Sequence, residues 1–259
     1  MTMSIQSTHL VFREAKDIRE LEALFRLRYQ GYVNSACASL VRQNEAGLEF
    51  DTYDWHSLHL GLFQQGSYGS HPVGYARLVQ TEPSSMAPMV SSLAARYSTL
   101  NIPAGPSEDA PLPFMANCPK AGELAGLLDG LKQQGARLVE GSRFVFSPDT
   151  RSSGYARFAF EAATAKAFFR YHYDFAFLAV HPRHAPFYGQ YGFQEIVNGE
   201  ENDYLGLKAS VLALENGKLA PRRANRIESM GKAASQLGAI FLFPDNSQVF
   251  APTPAAMAA

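Results

Sequence analysis

The chain has 259 residues, 46% of them hydrophobic, and a formal net charge of −1 at pH 7. That length suits one domain of ordinary size or one domain with extensions, and the balanced charge gives no general attraction to nucleic acid or anionic membranes. The two cysteines form no disulfide framework, no signal peptide is visible, and no apolar run approaches the roughly 20 residues of a membrane span. We therefore expect a protein of the reducing cytoplasm, without a transmembrane segment or a nucleic-acid partner.

Hydrophobic periodicity predicts strands and helices in the first half of the chain. The predicted elements are a strand at 9–13, a helix at about 16–32, strands at 57–63 and 73–80 joined by a Gly/Ser-rich turn at 65–70, and a short helix near 89–97. Segment 81–120 carries seven of the fifteen prolines, which is typical of either a functional or a disordered insertion.

The second half continues the alternation of helices and strands. The predicted elements are helices at about 121–134, 152–172, 184–191 and 222–237, and strands at about 137–146, 175–180, 194–197 and 204–214. This order predicts one α+β domain over residues 1–259, with mostly antiparallel strands and helices on both faces. We expect segment 81–120 to be a proline-rich insertion and residues from about 216 to 259 to form a helical C-terminal extension.

Two charged residues interrupt the apolar, aromatic-rich strand predicted at 137–146. Burying Glu140 and Arg143 there is costly unless they pair or serve a ligand. Residues three apart in a regular strand face opposite sides of the sheet. Gly141 lies between them and can host a β-bulge, which adds a residue, re-aims a side chain and frees an N–H group. We therefore predict a bulge near 141–144.

A helix is predicted to begin just after this strand, and its start is suited to binding an anion. Free backbone N–H groups at a helix N-terminus attract phosphate. The residues predicted to hold it are Arg151, Ser152, Ser153, Gly154, Tyr155 and Ala156. The alternative is a helix that Asp149 or Thr150 caps without any ligand. A charged strand beside a phosphate site suggests transfer of an acyl chain carried on phosphopantetheine.

Several motifs in this order resemble a known fold. The pattern Arg151-x-x-Gly154-x-Ala156 resembles the phosphate-binding signature of GNAT acyltransferases, and the run 187–193, with Tyr188, resembles a later element of that fold. A second group of motifs, which spans residues 26 to 143, follows the pattern of autoinducer (acyl-homoserine-lactone) synthases. That group is Arg26 or Arg28, Asp51-x-x-Asp54, Gly74-x-x-Arg77 and Glu140-x-x-Arg143. The element at 187–193 and the C-terminal extension look more like the related N-acyl amino acid synthases, including those that make N-acyl tyrosines.

The resemblance covers about residues 9–215 and implies a fold and a reaction. It implies a twisted, mostly antiparallel sheet whose central strands splay apart at the thioester site, with Phe144, Val145 and Phe146 beside the donor. The implied reaction moves a medium- or long-chain fatty acyl group from acyl-carrier protein to the α-amine of a free amino acid, tyrosine or another aromatic one. The donor arm is the 4′-phosphopantetheine of the carrier protein or of CoA, with no permanently bound cofactor. Alternatives are an autoinducer synthase that uses S-adenosylmethionine, an acetyl-CoA-dependent acetyltransferase, and a non-catalytic acyl-carrier- or lipid-binding protein.

The resemblance also implies roles for single residues, each with a structural alternative. Glu140 is the candidate base for the amine, or the partner of Arg143 in an ion pair; both are counted as catalytic candidates. Tyr188 is the candidate proton donor to the leaving thiolate, or a packing tyrosine. A second set of residues either orders the wall over the acyl site or is a purely structural network, and Arg77 within it either binds the acceptor's carboxylate or pairs with an aspartate. This set is Arg26 or Arg28, Asp51, Asp54 and Arg77.

Three further features concern metal binding, partner binding and the proline-rich segment. The spacings His56-x-x-His59 and His181-x-x-His184 invite a metal, but no cysteine or carboxylate set completes the coordination, so we expect no metal site. The basic cluster at 222–226 either attracts an acidic partner or is a solvated helix face. Segment 81–120 either roofs a channel for the fatty chain or is a surface insertion.

Overall fold

The computed structural model describes residues 9–66, 69–116, 118, 120–150, 154–199, 203–204 and 206–242. Ten strands lie in these ranges: β1 Leu10–Glu14, β2 Ser57–Gly66, β3 Gly69–Gln80, β4 Leu138–Phe146, β5 Phe175–Val180, β6 Gln194–Val197, β7 Asp203–Tyr204, β8 Leu207–Lys208, β9 Ser210–Glu215 and β10 Ile240–Leu242. Six α-helices accompany them: α1 Ile18–Val33, α2 Ala87–Arg96, α3 Ala121–Gln133, α4 Tyr155–Ala165, α5 Ala185–Gly189 and α6 Pro221–Leu237. None of these helices is both long and apolar enough to cross a bilayer.

Eight of the strands form one sheet, in the order β10-β1-β2-β3-β4-β5-β9-β6. The β4–β5 ladder is parallel and the other ladders of the described strands are antiparallel. The predicted α+β architecture is therefore confirmed. The strand predicted at 204–214 is wrong in its first part, because β7 and β8 pair only with each other and β9 begins at Ser210. The predicted turn at 65–70 is also too wide, since β2 and β3 already pair at Gln65 and Ser70.

Helices cover both faces of this sheet. Helices α1, α2 and α3 lie on one face, where the Phe25 ring packs edge-on against His59 of β2 at 5.0 Å. Helices α4 and α6 lie on the other face and pack against each other. Helix α1 approaches β4 closely at Gly31, because a Cβ atom there would stand 2.2 Å from Val145 Cγ1. The end of α1 is thereby held against the end of β4.

The two central strands separate part-way along their length. The parallel ladder between β4 and β5 runs from Leu138–Phe175 to Gly141–Leu178 and stops there. Strand β4 continues to Phe146 and β5 to Val180, so the seam between them opens. This is the predicted splay. Helix α4 follows β4 through a 3₁₀ turn at Pro148–Thr150, which brings its N-terminus to the same end of the sheet.

The C-terminal extension is only partly helical, which corrects the prediction. After α6, strand β10 returns to pair antiparallel with β1 at the sheet edge. A strand of three residues is too short to show a periodicity in sequence. The predicted helix at 152–172 also ends in a π-helical segment, Lys166–Arg170, whose lysine reaches Glu14 Oε1 (2.8 Å) and Gly238 O (2.7 Å).

The end of the proline-rich insertion is packed against the sheet. Its residues Leu112, Phe114 and Met115 are buried with α3 and with Phe177 of β5 in a second apolar cluster. The Phe114 and Phe177 rings lie 5.2 Å apart. This part of the insertion therefore belongs to the core on the α1 face rather than to the surface.

Candidate active site

A network of buried charges occupies the sheet face that α1 covers. Pairing between β2, β3 and β4 sets His59 opposite Arg77, Arg77 opposite Ser142 and Glu140 opposite Val79, so these side chains share that face. Helix α1 and the segment before β2 contribute the remaining partners. The network consists of Arg28, Glu49, Asp51, Asp54, Arg77 and Arg143. Three arginines are thus balanced by three carboxylates.

Asp54 is the centre of this network and is fully buried. Its Oδ1 accepts from Arg28 Nη1 (2.7 Å) and Arg77 Nη1 (2.9 Å), while its Oδ2 accepts from the Asp51 backbone N–H (2.8 Å). Asp51 in turn caps the 3₁₀ turn at Thr52–His56, so a local capping box holds both aspartates in place. Burial acts to raise the pKa of Asp51, but the guanidinium groups of Arg77, Arg143 and Arg28 together hold that pKa well below its usual range.

A β-bulge in β4 brings Arg143 into the network, and the bulge predicted near 141–144 is confirmed. Between the pairs Tyr75–Val145 and Arg77–Ser142, β4 has one residue more than β3. Arg143 takes up the extra residue with a φ of 54°, in the left-handed region. Its guanidinium donates to Glu49 Oε1 (3.0 Å) and Asp51 Oδ2 (3.2 Å). The bulge therefore turns Arg143 to the face that Glu140 occupies.

Gly141 itself does not form the bulge, which corrects the predicted position within the strand. It pairs regularly with Leu78 of β3 and with Leu178 of β5. A Cβ atom at Gly141 would lie 2.8 Å from Leu178 Cδ2. The glycine is therefore explained by close packing beside the parallel ladder.

Arg77 has one side-chain nitrogen without a partner. Its Nε donates to Ser142 Oγ (3.0 Å), and its Nη1 donates to Asp51 (2.6 Å) and Asp54. Among the described residues, Nη2 has no hydrogen-bond partner, although the side chain is fully buried. Leaving a buried donor of this kind unsatisfied costs about 1–3 kcal/mol. Such a donor is suited to an oxygen atom that a ligand brings.

Glu140 is buried next to this arginine, with 1% of its surface exposed. Its Oε2 accepts from the backbone N–H of Phe114, in the insertion, at 2.8 Å. Burial raises the pKa of Glu140 to about 8, although the Phe114 N–H, Arg77 and Arg143 act to lower it. A carboxyl group with that pKa takes and releases a proton near neutral pH.

A neutral histidine supports the network from β2. His59 Nε2 lies 3.0 Å from the Asp54 carbonyl, which can only accept, so Nε2 carries the proton. His59 Nδ1 then accepts from Tyr75 Oη (2.8 Å), which itself accepts from Arg28 Nη1 (3.0 Å). Burial lowers the pKa of His59 to about 4. This histidine is a structural hydrogen-bonding residue, and no group of three metal-ligating side chains occurs in the part of the chain that the structure describes.

Tyr188 lies on α5, the short helix that follows β5 along the chain. Its ring packs edge-on against Phe160 and Phe187, each at 5.1 Å. Burial, and then the nearby phenol of Tyr32, raise the pKa of Tyr188 to about 12. Tyr32, in the last turns of α1, also carries the Arg143 guanidinium over its ring at 5.3 Å. Tyr32 therefore lies near both Arg143 of the network and Tyr188.

The predicted phosphate site is only partly described. Arg151, Ser152 and Ser153 lie outside the described residues. Gly154 is the N-cap of α4, with a φ of 77°, and Tyr155 and Ala156 form the first turn. Because the N-cap is a glycine, neither Asp149 nor Thr150 holds the position that the alternative prediction required. Of the residues predicted beside the donor, Val145 and Phe146 are buried and Phe144 is 36% exposed.

The structure brings some of the predicted network together and leaves one residue out. Arg28, Asp51, Asp54 and Arg77 meet, whereas Arg26 points away and bonds Glu22, the Ala46 carbonyl and Tyr97. Several residues of the site were not predicted as such from the sequence. They are Glu49 of the network and the residues that contact the network or Glu140, namely His59, Tyr75, Ser142, Tyr32 and Phe114. Of these residues, only Glu49 could have been predicted from its spacing. It precedes Asp51 by two residues in an extended segment, so the two side chains face the same side. The others depend on contacts between distant segments.

A cavity of about 300 Å³ adjoins the network. Glu49 and Asp51 form its polar edge. Apolar side chains from the segment before β2 and from the insertion form much of the remainder, namely Leu40, Val41, Leu48, Phe50, Leu100 and Ile102. The lining also includes Arg42, Asn44, Thr52 and Asn101, so the site has a neighbouring cavity with a mixed polar and apolar wall.

Comparisons with known proteins give a family match for part of the chain and several similar structures. Residues 123–215 match the family described as N-acyl amino acid synthase FeeM. The structure of FeeM, from uncultured soil microbes, is similar at 17% sequence identity with a TM-score of 0.54, over 83% of this chain and 94% of that one. The acyl-homoserine-lactone synthase LasI shows 16% identity and a TM-score of 0.48, over 81% and 90% of the two chains. The CoA-dependent synthase BjaI, solved with MTA, shows 19% identity and a TM-score of 0.46, over 85% and 89%. Curated protein sequences give no match.

The family match and the shared fold make the chain an N-acyltransferase with a GNAT-like fold. The matched segment contains β4 with its bulge, α4, β5 and α5. The network's other residues, on α1, β3 and the segment before β2, lie outside it.

Proposed function

We propose that the protein transfers a medium- or long-chain fatty acyl group from an acyl-carrier-protein thioester to the α-amine of a free amino acid. One observation carries this proposal. Glu140, a buried carboxyl with a pKa raised to about 8, shares one sheet face with a balanced arginine–carboxylate network beside an open strand seam. In this proposal, a base, a site for a charged acceptor and a slot for an extended thioester would lie together.

The donor thioester would enter between the diverging ends of β4 and β5. Its phosphate would lie at the start of α4, held by Gly154 to Ala156 and by Arg151 to Ser153. A bulge leaves one residue out of the ladder, and an amide N–H there is suited to the developing negative charge on the thioester oxygen. Burying the fatty chain would contribute about 0.8 kcal/mol per CH₂, so pocket depth would set the preferred length.

The acceptor would bind between the network and the neighbouring cavity. Arg77 Nη2, which lacks a partner among the described residues, would take the acceptor's carboxylate. The cavity of about 300 Å³, with its mixed polar and apolar lining, would take an aromatic side chain that carries a polar group, such as that of tyrosine. The network already balances three arginines with three carboxylates, so a zwitterion of zero net charge enters without burying excess charge. S-Adenosylmethionine, by contrast, would add one positive charge.

The reaction requires the acceptor nitrogen to lose two protons and the leaving sulfur to gain one. Glu140 would take the first proton from the acceptor's ammonium group, for which a carboxyl with a raised pKa is a better base than an ordinary one. The neutral amine would then attack the thioester carbonyl, forming the C–N bond and breaking the C–S bond. Tyr188, which stays protonated at neutral pH because its pKa is about 12, would donate to the leaving sulfur and be reprotonated by the amide nitrogen's second proton.

A direct product assay tests the proposal. The purified protein is incubated with dodecanoyl-acyl-carrier protein and the twenty amino acids, and the products are identified by mass spectrometry. We expect one or a few N-dodecanoyl amino acids, aromatic ones foremost. Homoserine lactone products that require S-adenosylmethionine, or turnover of acetyl-CoA alone, would contradict it.

Two variants test the role of Tyr188 in the same assay. Tyr188→Phe keeps the ring packing but removes the proton donor, and we expect kcat to fall about tenfold or more. Tyr171→Phe, at a partly buried tyrosine that donates to Glu14 of β1, is the matched control and should leave kcat unchanged. Equal activity of both variants would remove Tyr188 from the mechanism.

A further inference from the structure

Helices α4 and α6 run parallel and begin at the same end of the molecule. Arg226 of α6 contacts Glu161 of α4 (2.5 Å), and further along Ser235 Oγ donates to the Phe169 carbonyl (2.9 Å). Contact positions thus increase together along both helices. At about 1.5 Å per residue, the start of α4 lies about 10 Å above Glu161 and the start of α6 about 8 Å above Arg226. Their first turns are therefore neighbours.

Four arginines surround these first turns. Arg157 and Arg226 have 46% and 35% of their side chains exposed and both contact Glu161, which is buried. Arg222 is exposed at the start of α6. Arg223 is half-buried, with its guanidinium over the Tyr191 ring at 5.4 Å. Four positive charges here share one buried carboxylate, in a chain whose net charge is −1.

We propose that this arginine face, formed by Arg157, Arg222, Arg223 and Arg226, docks the acidic acyl-carrier protein that delivers the acyl chain. The inference rests on the proposed function, which places the phosphopantetheine arm at the start of α4. A carrier that feeds its arm in at that point has to stand over the first turns of α4 and α6. Acyl-carrier proteins are strongly acidic, so the charges of the two surfaces are complementary.

The face is partly built by the C-terminal extension. Helix α6 lies outside residues 123–215, the segment that matches the synthase family. Helix α6 of the extension packs along α4. It contributes three of the four arginines at this end of the sheet, and α4 contributes one. An area that spans two helices is suited to a protein surface, and this distinguishes it from a site for the phosphates of free CoA.

Charge reversal at the two arginines that do not contact Glu161 tests the proposal. The variant is Arg222→Glu with Arg223→Glu. Acidic residues in the first turn of a helix are favourable, so α6 should remain folded. The matched control is Arg19→Glu with Lys132→Glu, two exposed basic residues at the opposite end of the sheet. Donors are dodecanoyl-acyl-carrier protein, dodecanoyl-CoA and dodecanoyl-pantetheine.

We expect the Arg222/Arg223 variant to lose roughly tenfold in kcat/KM with the carrier-protein donor at low salt, and to keep its kcat/KM with dodecanoyl-pantetheine. The loss should shrink as salt rises, and the control variant should match the wild type. Unchanged kcat/KM with the carrier-protein donor, or equal losses with dodecanoyl-CoA and the carrier protein, would overturn the proposal.

A binding measurement separates failure of this inference from failure of the proposed function. Fluorescence anisotropy of a labelled acyl-carrier protein reports docking without turnover. Weaker binding by the Arg222/Arg223 variant than by the wild type and the control supports the docking face, even if no acyl amino acid forms. Equal binding by all three proteins overturns it, even if the enzyme is active.

Discussion

The two faces of the sheet each bury a carboxylate among arginines, but the two clusters differ in how completely they are paired. On the α4–α6 face, Glu161 accepts from Arg157 Nε (3.1 Å), Arg226 Nε (2.5 Å) and Tyr191 Oη (2.9 Å). Those two arginines are partly exposed. On the α1 face, Asp54 is paired with Arg28 and Arg77, both fully buried, and Arg77 Nη2 has no partner within the described residues.

This difference distinguishes a cluster that holds helices together from one that, as we propose, binds a ligand. Glu161 joins α4 to α6, and its partners can turn to water if it is lost. The network around Asp54 is mostly buried, although Arg143 and Asp51 keep 14% and 22% of their side chains exposed. It also holds a donor that the described residues do not satisfy, which lowers stability unless a ligand completes the set. The same residue types thus serve stability on one face and, as we propose, binding and catalysis on the other.

The largest expected effect is on the fold and comes from the centre of the network. Asp54→Asn leaves Arg28 and Arg77 buried with too little negative charge, which should lower the free energy of unfolding by about 3–5 kcal/mol. Urea unfolding followed by circular dichroism measures the loss. A midpoint equal to that of the wild type would mean that the network is not held as described.

Next in size is the effect of the buried base on activity. Glu140→Gln keeps the Phe114 N–H contact but removes the basic carboxylate, so kcat/KM should fall about 10²–10³-fold. In the wild type, kcat/KM should rise with pH up to about 8, the raised pKa of Glu140, and this rise should disappear in the variant. A variant that retains both the rate and the pH profile would exclude Glu140 as the base.

The same carboxyl group should make stability depend on pH. Its pKa is raised from 4.5 to about 8 on folding, so its contribution is fully present below pH 4.5 and is lost as pH rises towards 8. Between pH 5.5 and 8 the wild type should lose about 3 kcal/mol more than Glu140→Gln does. Thermal unfolding of both proteins across this range measures the difference, and parallel curves would contradict the raised pKa.

A smaller effect is expected on the opposite face. Glu161→Gln should reduce stability by about 1–2 kcal/mol, because Arg157 and Arg226 can be hydrated. The kcat of the folded variant should equal that of the wild type. Urea unfolding and a saturated activity assay measure the two quantities. A large fall in kcat at unchanged stability would contradict the purely structural role of Glu161.

The smallest effect is expected at the edge of the network. Arg26 is 42% exposed and pairs with Glu22 within α1, so Arg26→Ala should cost less than about 1 kcal/mol and leave kcat/KM unchanged. Arg28→Ala is the informative contrast, since it removes a fully buried partner of Asp54. Equal behaviour of the two variants would show that α1 contributes nothing specific through Arg28.

Local patterns in the sequence determined most of the fold. The amphipathic spacing of α1 and the apolar runs of β4 and β5 predicted those elements within a few residues. The charged pair Glu140 and Arg143 in a buried strand predicted the bulge, because only an added residue lets both side chains share a face. What the sequence could not show was the short strand β10, whose pairing with β1 depends on the path of the whole chain.

Only the tertiary structure decided which residues meet. Sequence spacing left Arg26 and Arg28 as alternatives, and the rotation of α1 against the sheet brings Arg28 to Asp54. The Phe114 N–H reaches Glu140 across 26 positions of chain, and burial by that packing raises the carboxyl's pKa. Hydrogen bonds and desolvation act over a few ångströms in space. Sequence periodicity therefore indicates which side chains face the core, but not which of them come within that distance.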